Sequence, residues 1–158
     1  PECVIPPLMR LAKYLPTLKA VPGASKDLID HVFRDKSVLE LVKQNPLGYE
    51  GKVRLATGKE LLFLSNACED SLHEVRVPFL VLHGEADVVT DPEISQALYD
   101  RAASTDKTIK RYPEMWHALS TGETPEGMET FFADVLGWLD AHSDAVAGVD
   151  GAVAASEG

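Results

Sequence analysis

Cysteine is scarce: the 158 residues hold two, Cys3 and Cys68. They have no metal-ligand spacing and cannot make a disulfide framework, so they read as two free thiols in a reducing compartment. Positive charge is also short. Fifteen Lys and Arg stand against 25 Asp and Glu, a formal net charge of −10. That excludes the clustered cations that nucleic-acid phosphates require. No apolar run reaches the roughly 18 residues of a spanning helix. Strands are few as well. The 45% hydrophobic content is enough for the core of one domain. Yet only two convincing core strands appear, against the roughly 5–6 of a mean sheet. A two-stranded parallel unit leaves an apolar edge that something else must cover. With so few strands, the expectation is a portion of a longer protein whose own N-terminus, with any targeting signal, lies upstream.

What is present centres on Val77 to His117. The apolar run Val77-Pro78-Phe79-Leu80-Val81-Leu82, closed by Gly84, suits a strand buried on both faces of a parallel sheet. A polar loop ends in Asp91-Pro92, a helix cap followed by a proline that gives up no needed donor. The helix that follows, from about Pro92 to Ala103, puts Ile94, Ala97, Leu98 and Ala102 on one face. Lys107 to Tyr112 forms a second, more polar strand, ended by Pro113. In such strand–helix–strand units, sites form beyond the carboxyl ends of the strands. Asp87 follows the first strand and His117 the second, so their loops can rise side by side. An Asp that accepts a hydrogen bond from one imidazole nitrogen fixes the tautomer and stabilises the imidazolium formed at the other.

Glu85 and Asp91 are the competing acids. Asp91 is better explained as the helix cap, and Glu85 sits nearer the strand end. Among the histidines, His31 and His142 fall on predicted helices without acidic or cysteine partners, His73 ends a helix where a cation suits the dipole, and His83 closes a strand as a wall residue. A metal reading of His83, Asp87 and His117 lacks a further suitably spaced ligand.

The run from His83-Gly84-Glu85-Ala86-Asp87 through Asp91-Pro92, with Asp106-Lys107-Thr108, Tyr112-Pro113 and Met115-Trp116-His117, resembles the C-terminal part of α/β-hydrolases. It looks most like the plant monoacylglycerol lipase-like group, which includes caffeoylshikimate esterases and lysophospholipases. The similarity runs from about Pro1 to His142. It implies that Asp87 is the acid and His117 the base of a Ser-His-Asp triad, that the substrate is a small ester or lipid, and that no cofactor or metal is needed. The resemblance departs from its family in one place. That family sets a G-x-S-x-G nucleophile elbow upstream of its acid, and none of the nine serines here has that flanking. The oxyanion-hole His-Gly segment is missing as well, since His83-Gly84 belongs to the acid loop.

The remaining chain fits the same reading. Residues 1–73 read as a helical cap without strands. It holds a leucine-rich helix from Pro6 to Leu18 kinked by Pro16, a turn at Pro22 to Ser25, two helical turns from Asp27 to Phe33, and a short helix capped by Ser37. A longer helix opens at Thr57 and runs to about His73. Basic flanks on the first helix suit packing on the core or contact with a membrane surface. The expected location is cytoplasmic, with peripheral membrane contact through the cap as the alternative to packing. Residues 74–142 read as the hydrolase core, ending in a helix from Pro125 to His142 with the stripe Met128, Phe131, Phe132, Val135, Leu136 and Leu139. Residues 143–158 read as a disordered tail. The expected fold is α/β, the C-terminal part of an α/β-hydrolase fold. The expected function is carboxylic ester hydrolysis with the nucleophilic Ser outside this chain. The rival reading is an inactive shortened hydrolase acting as a binding or decoy module.

Overall fold

The structure, a computed structural model, describes residues 5–21, 26–48 and 51–154. The turn expected at Pro22 to Ser25 lies outside them, as do Cys3 and residues 155–158. The elements in chain order are α1 (Ile5–Tyr14), β1 (Lys19–Val21), α2 (Lys26–Ile29), α3 (Lys36–Lys43), β2 (Val53–Arg54), α4 (Leu55–Asp70), β3 (Phe79–Gly84), α5 (Pro92–Arg101), β4 (Lys107–Tyr112) and α6 (Pro125–Ala154). A 3-10 turn at Leu72–Glu74 follows α4.

The two core strands form where the apolar pattern put them. β3 and β4 pair in parallel from Phe79↔Lys107 to Gly84↔Tyr112. Asp91 caps α5 by accepting the Glu93 N–H, with Pro92 opening the helix. Within this chain β3 is only half-buried apart from Gly84, not buried on both faces. The reason is the sheet's width: two strands and the helices beside them cannot enclose an apolar strand that in a wide sheet has neighbours on either side.

The cap differs from expectation in four places. It contains strands: β1 and β2 pair antiparallel, with Lys19 opposite Arg54 and Val21 opposite Val53. At three and two residues they are too short to show alternation. The two-turn helix expected to Phe33 stops at Ile29 and gives way to turns (His31 N to Leu28 O, Val32 N to Ile29 O), and Val32 O accepts the N–H of Ala118 on another loop instead of a helical one. The cap of α3 is Asp35 rather than Ser37. Its carboxylate accepts both the backbone N–H of Ser37 at 2.8 Å and the Ser37 hydroxyl at 2.7 Å. Nor does Thr57 open α4. The helix starts directly out of β2, its first N–H groups answered by Leu18 O (from Leu55 N, 2.9 Å) and Pro16 O (from Ala56 N, 3.1 Å), which do the work of a cap.

α1 ends before Pro16 and packs on α4. Leu11, Tyr14, Leu15 and Leu18 remain exposed, as do Leu61, Phe63 and Leu64 of α4. α6 lies against β3, and Asp134 ties it to β4 through the Tyr112 hydroxyl at 2.7 Å and Lys110. Beyond His142, where the sequence suggested a tail without structure, the helix continues to Ala154. Alanines at 145, 147, 152 and 154 carry the highest helix propensity, and an existing helix is extended at far lower cost than a new one is nucleated. Among the described residues, no helix is long and apolar enough to cross a membrane.

Candidate active site

Two loops at the same end of the sheet make the site. They are laced together: Glu85 N donates to Tyr112 O at 2.9 Å and Ala86 N to Met115 O at 3.1 Å. Gly84 permits the approach. A Cβ there would lie 2.2 Å from Met115 O and 2.6 Å from Trp116 O, distances that only an absent side chain avoids.

Asp87 is buried on the first loop and His117 half-exposed on the second. His117 Nδ1 lies 2.9 Å from Asp87 Oδ2. A carboxylate partner assigns the proton to Nδ1, which leaves Nε2 as the basic nitrogen. The carboxylate is otherwise saturated by its own loop. Thr90 Oγ1 donates to Oδ2 at 2.7 Å, and the N–H groups of Val89 and Thr90 donate to Oδ1 at 2.7 and 3.1 Å. Burial pushes the Asp87 carboxyl up. The bonds from His117, from the Thr90 hydroxyl and from the two N–H groups outweigh it and hold the carboxyl down at about 2. Asp87 is therefore an anion fixed in place, able to orient an imidazole and to balance its charge.

The other candidates fall elsewhere. Asp91 caps α5, and Glu85 pairs with Arg111 at 3.2 Å. His73 Nδ1 is 2.9 Å from Asp70 O, and His142 stacks on Trp138 and meets Asp106 at 3.0 Å. His31 stacks on Trp116 with ring centroids 6.1 Å apart. His83 comes closer to the site than a wall residue: its Nε2 is 3.2 Å from Asp87 Oδ2, within ion-pair reach but not lined up as a hydrogen bond, and its Nδ1 is 2.6 Å from the Ser95 hydroxyl. Two further residues, Thr90 and Glu123, bond to the pair or to its loop. Thr90 had a local signal, a hydroxyl three positions after an acid in a turn. Glu123, the most buried charged side chain among the described residues, had none. Among the described residues no group of three or more His, Cys, Asp or Glu is arranged to hold a metal ion. A separate apolar cleft of about 460 Å³ lies between β3 and α6, lined by Phe79, Leu82, Phe131 and Trp138 among others, and shares no residue with the site.

The sequence and the fold that carry this Asp–His pair match known proteins. Residues 3–124 fit the family described as serine aminopeptidase, S33. The chain belongs to that hydrolase family. It is 36% identical to caffeoylshikimate esterase of Arabidopsis thaliana over 113 residues, 72% of this chain and 34% of that protein. Against the monoglyceride lipase of Homo sapiens, identity is 31% over 121 residues, 75% of this chain and 40% of that one. The crystal structure of Paleococcus ferrophilus monoacylglycerol lipase superposes with a TM-score of 0.75 at 23% identity, covering 90% of this chain and 53% of that chain. A soluble variant of Saccharomyces cerevisiae monoglyceride lipase, solved with a substrate analogue, gives 0.66 at 23% identity, covering 85% and 45%. The fold is thus the C-terminal part of an α/β-hydrolase, a helical cap with two parallel core strands and their helices. The chain spans about a third to a half of the length of these relatives.

Proposed function

We propose that this chain supplies the acid and base of a serine carboxylic ester hydrolase, with the nucleophilic Ser lying outside these residues. The observation that carries the reading is the 2.9 Å bond between His117 Nδ1 and a buried, fully hydrogen-bonded Asp87. In the complete protein His117 Nε2 takes the proton of the Ser hydroxyl as its oxygen attacks the ester carbonyl. It then hands that proton to the leaving alkoxide, which departs as the alcohol. Water, deprotonated by the same nitrogen, attacks the acyl-enzyme and releases the acid and the free Ser. Asp87 holds the ring throughout and stabilises its cationic form. No metal or cofactor enters this scheme.

The relatives' names point to monoacylglycerols or caffeoyl esters as the substrate class, and the sequence resemblance adds lysophospholipids. The exposed Leu11, Tyr14, Leu15 and Leu18, together with Leu61, Phe63 and Leu64 on the neighbouring helix, favour a lipid-facing cap. A fluorophosphonate probe tests the assignment. The complete native protein should be labelled at a Ser outside these residues and should hydrolyse a nitrophenyl ester. The 158-residue chain alone should do neither. Labelling of this chain that is lost in His117→Ala would place the nucleophile within it and overturn the proposal.

A second reading is favoured by the missing G-x-S-x-G elbow: a shortened hydrolase that binds ligand without turnover. A native transcript encoding this length, with tight ester binding and no product, would select it.

A further inference from the structure

The loop that carries His117 is fastened to the cap as well as to the sheet. Ala118 N donates to Val32 O at 3.1 Å, and Asp35 N donates to Gly122 O at 2.9 Å. Gly122 sits so close to the cap that a Cβ would lie 2.6 Å from Phe33 Cδ1. Directly after Gly122 comes Glu123, 1% exposed and at the end of the same loop. One of its oxygens accepts the backbone N–H of Trp116, the residue directly before His117. The other accepts from Arg34 Nη1 at 3.3 Å. The Trp116 ring itself meets two cap side chains, with Lys36 Nζ 5.2 Å from its centroid and His31 stacked upon it.

A carboxylate this buried is tolerated only when paired and hydrogen-bonded, and here its two partners belong to two different parts of the fold. We infer that Glu123 is a positioning residue for His117, held in charge balance by Arg34, so that cap segment 32–35 helps to set the geometry of the base. The inference rests on the hydrolase reading of His117. It adds that the base is located from two sides: by Asp87 through its ring, and by Glu123 through the backbone immediately before it. A base loop that depends on the cap ties the cap's seating to turnover.

The test uses the complete native protein and the variants Glu123→Ala, Glu123→Gln and Arg34→Met. It reads kcat and KM on a short nitrophenyl ester and the low-field proton signal of His117 Nδ1–H, assigned by its loss in Asp87→Asn. Glu123→Ala should lower kcat about 10- to 100-fold, the scale of a misplaced catalytic group, with KM within about twofold, and should broaden the ring-proton signal. Glu123→Gln keeps an acceptor for the Trp116 N–H and should restore most of kcat and the sharp signal. Arg34→Met should fall between them. Unchanged kcat and an unchanged signal in Glu123→Ala would overturn the inference, and so would a Gln variant as impaired as the Ala one or a loss confined to KM. Should Glu123→Ala fail to fold by circular dichroism, the Gln and Arg34 variants decide. If the wild-type protein hydrolyses no ester, the hydrolase reading fails on that count. The ring-proton signal then still decides whether Glu123 positions His117.

Discussion

Asp87 Oδ2 and His117 Nδ1 lie 2.9 Å apart across 30 positions of sequence. The contact exists because β3 and β4 run parallel in a register that ends at Gly84 opposite Tyr112, so the two following loops leave the sheet at one level. Backbone bonds between the loops then close the gap before either side chain contributes.

Asp87→Asn should keep the loop and lose the function. The amide can still accept from Thr90 and Val89, but it no longer favours the Nδ1–H tautomer of His117 or balances the imidazolium. In the complete protein kcat should fall on the order of 10³–10⁴-fold with little change in KM, by analogy with triads in which that substitution has been made. Steady-state kinetics on a soluble ester checks it.

The same carboxylate contributes to stability with a definite sign. Its folded pKa, about 2, lies below the ordinary 3.8. The contribution is therefore fully present above about pH 5 and is lost as pH falls through 3.8 to 2, and it amounts to about 2 kcal/mol. Thermal unfolding between pH 5 and pH 2 should be less steeply pH-dependent in Asp87→Asn than in the wild-type chain. Parallel profiles would show that Asp87 ionises alike in both states.

Gly84→Ala should damage site and fold together. The added methyl would sit 2.2 Å from a backbone carbonyl oxygen that no rotamer change can move. The expected loss is about 1–3 kcal/mol, the range for overpacking, read as a lowered unfolding midpoint and a weakened His117 ring-proton signal.

His142 should give stability of the opposite pH sense. The backbone carbonyl of Trp138, then the Asp106 carboxylate, raise its pKa above 6.5. That contribution is present below pH 6.5 and disappears as pH rises through the elevated value. His142→Gln should flatten the unfolding midpoint as pH rises above 6.5, whereas an unchanged slope would mean that another group titrates there.

The parts legible in the sequence were those whose signals are local. Six apolar residues before Gly84, an Asp-Pro helix start and a polar strand ended by Pro113 each announce one element, and together they placed Asp87 and His117 at neighbouring strand ends. The cap resisted reading because its boundaries are set at a distance. Ser37 and Thr57 have good capping patterns, but Asp35 is held by Gly122, and the first turn of α4 is answered by Pro16 and Leu18. Glu123 was invisible for the same reason. Nothing beside it in sequence reveals that Arg34 and the Trp116 N–H converge on it. The half-buried state of β3 could not be foreseen from its own residues, since burial of a central strand depends on strands beyond it.

One comparison bears most directly on the central claim: ester hydrolysis by the complete native protein beside its His117→Ala variant, both shown folded by circular dichroism. The account predicts that His117→Ala loses kcat by about 10⁴-fold or more, as expected when the base of such a unit is removed, while a substrate analogue still binds. Hydrolysis by His117→Ala at the wild-type rate would contradict it, and the Asp87–His117 pair would then be a structural contact rather than the acid and base of a hydrolase.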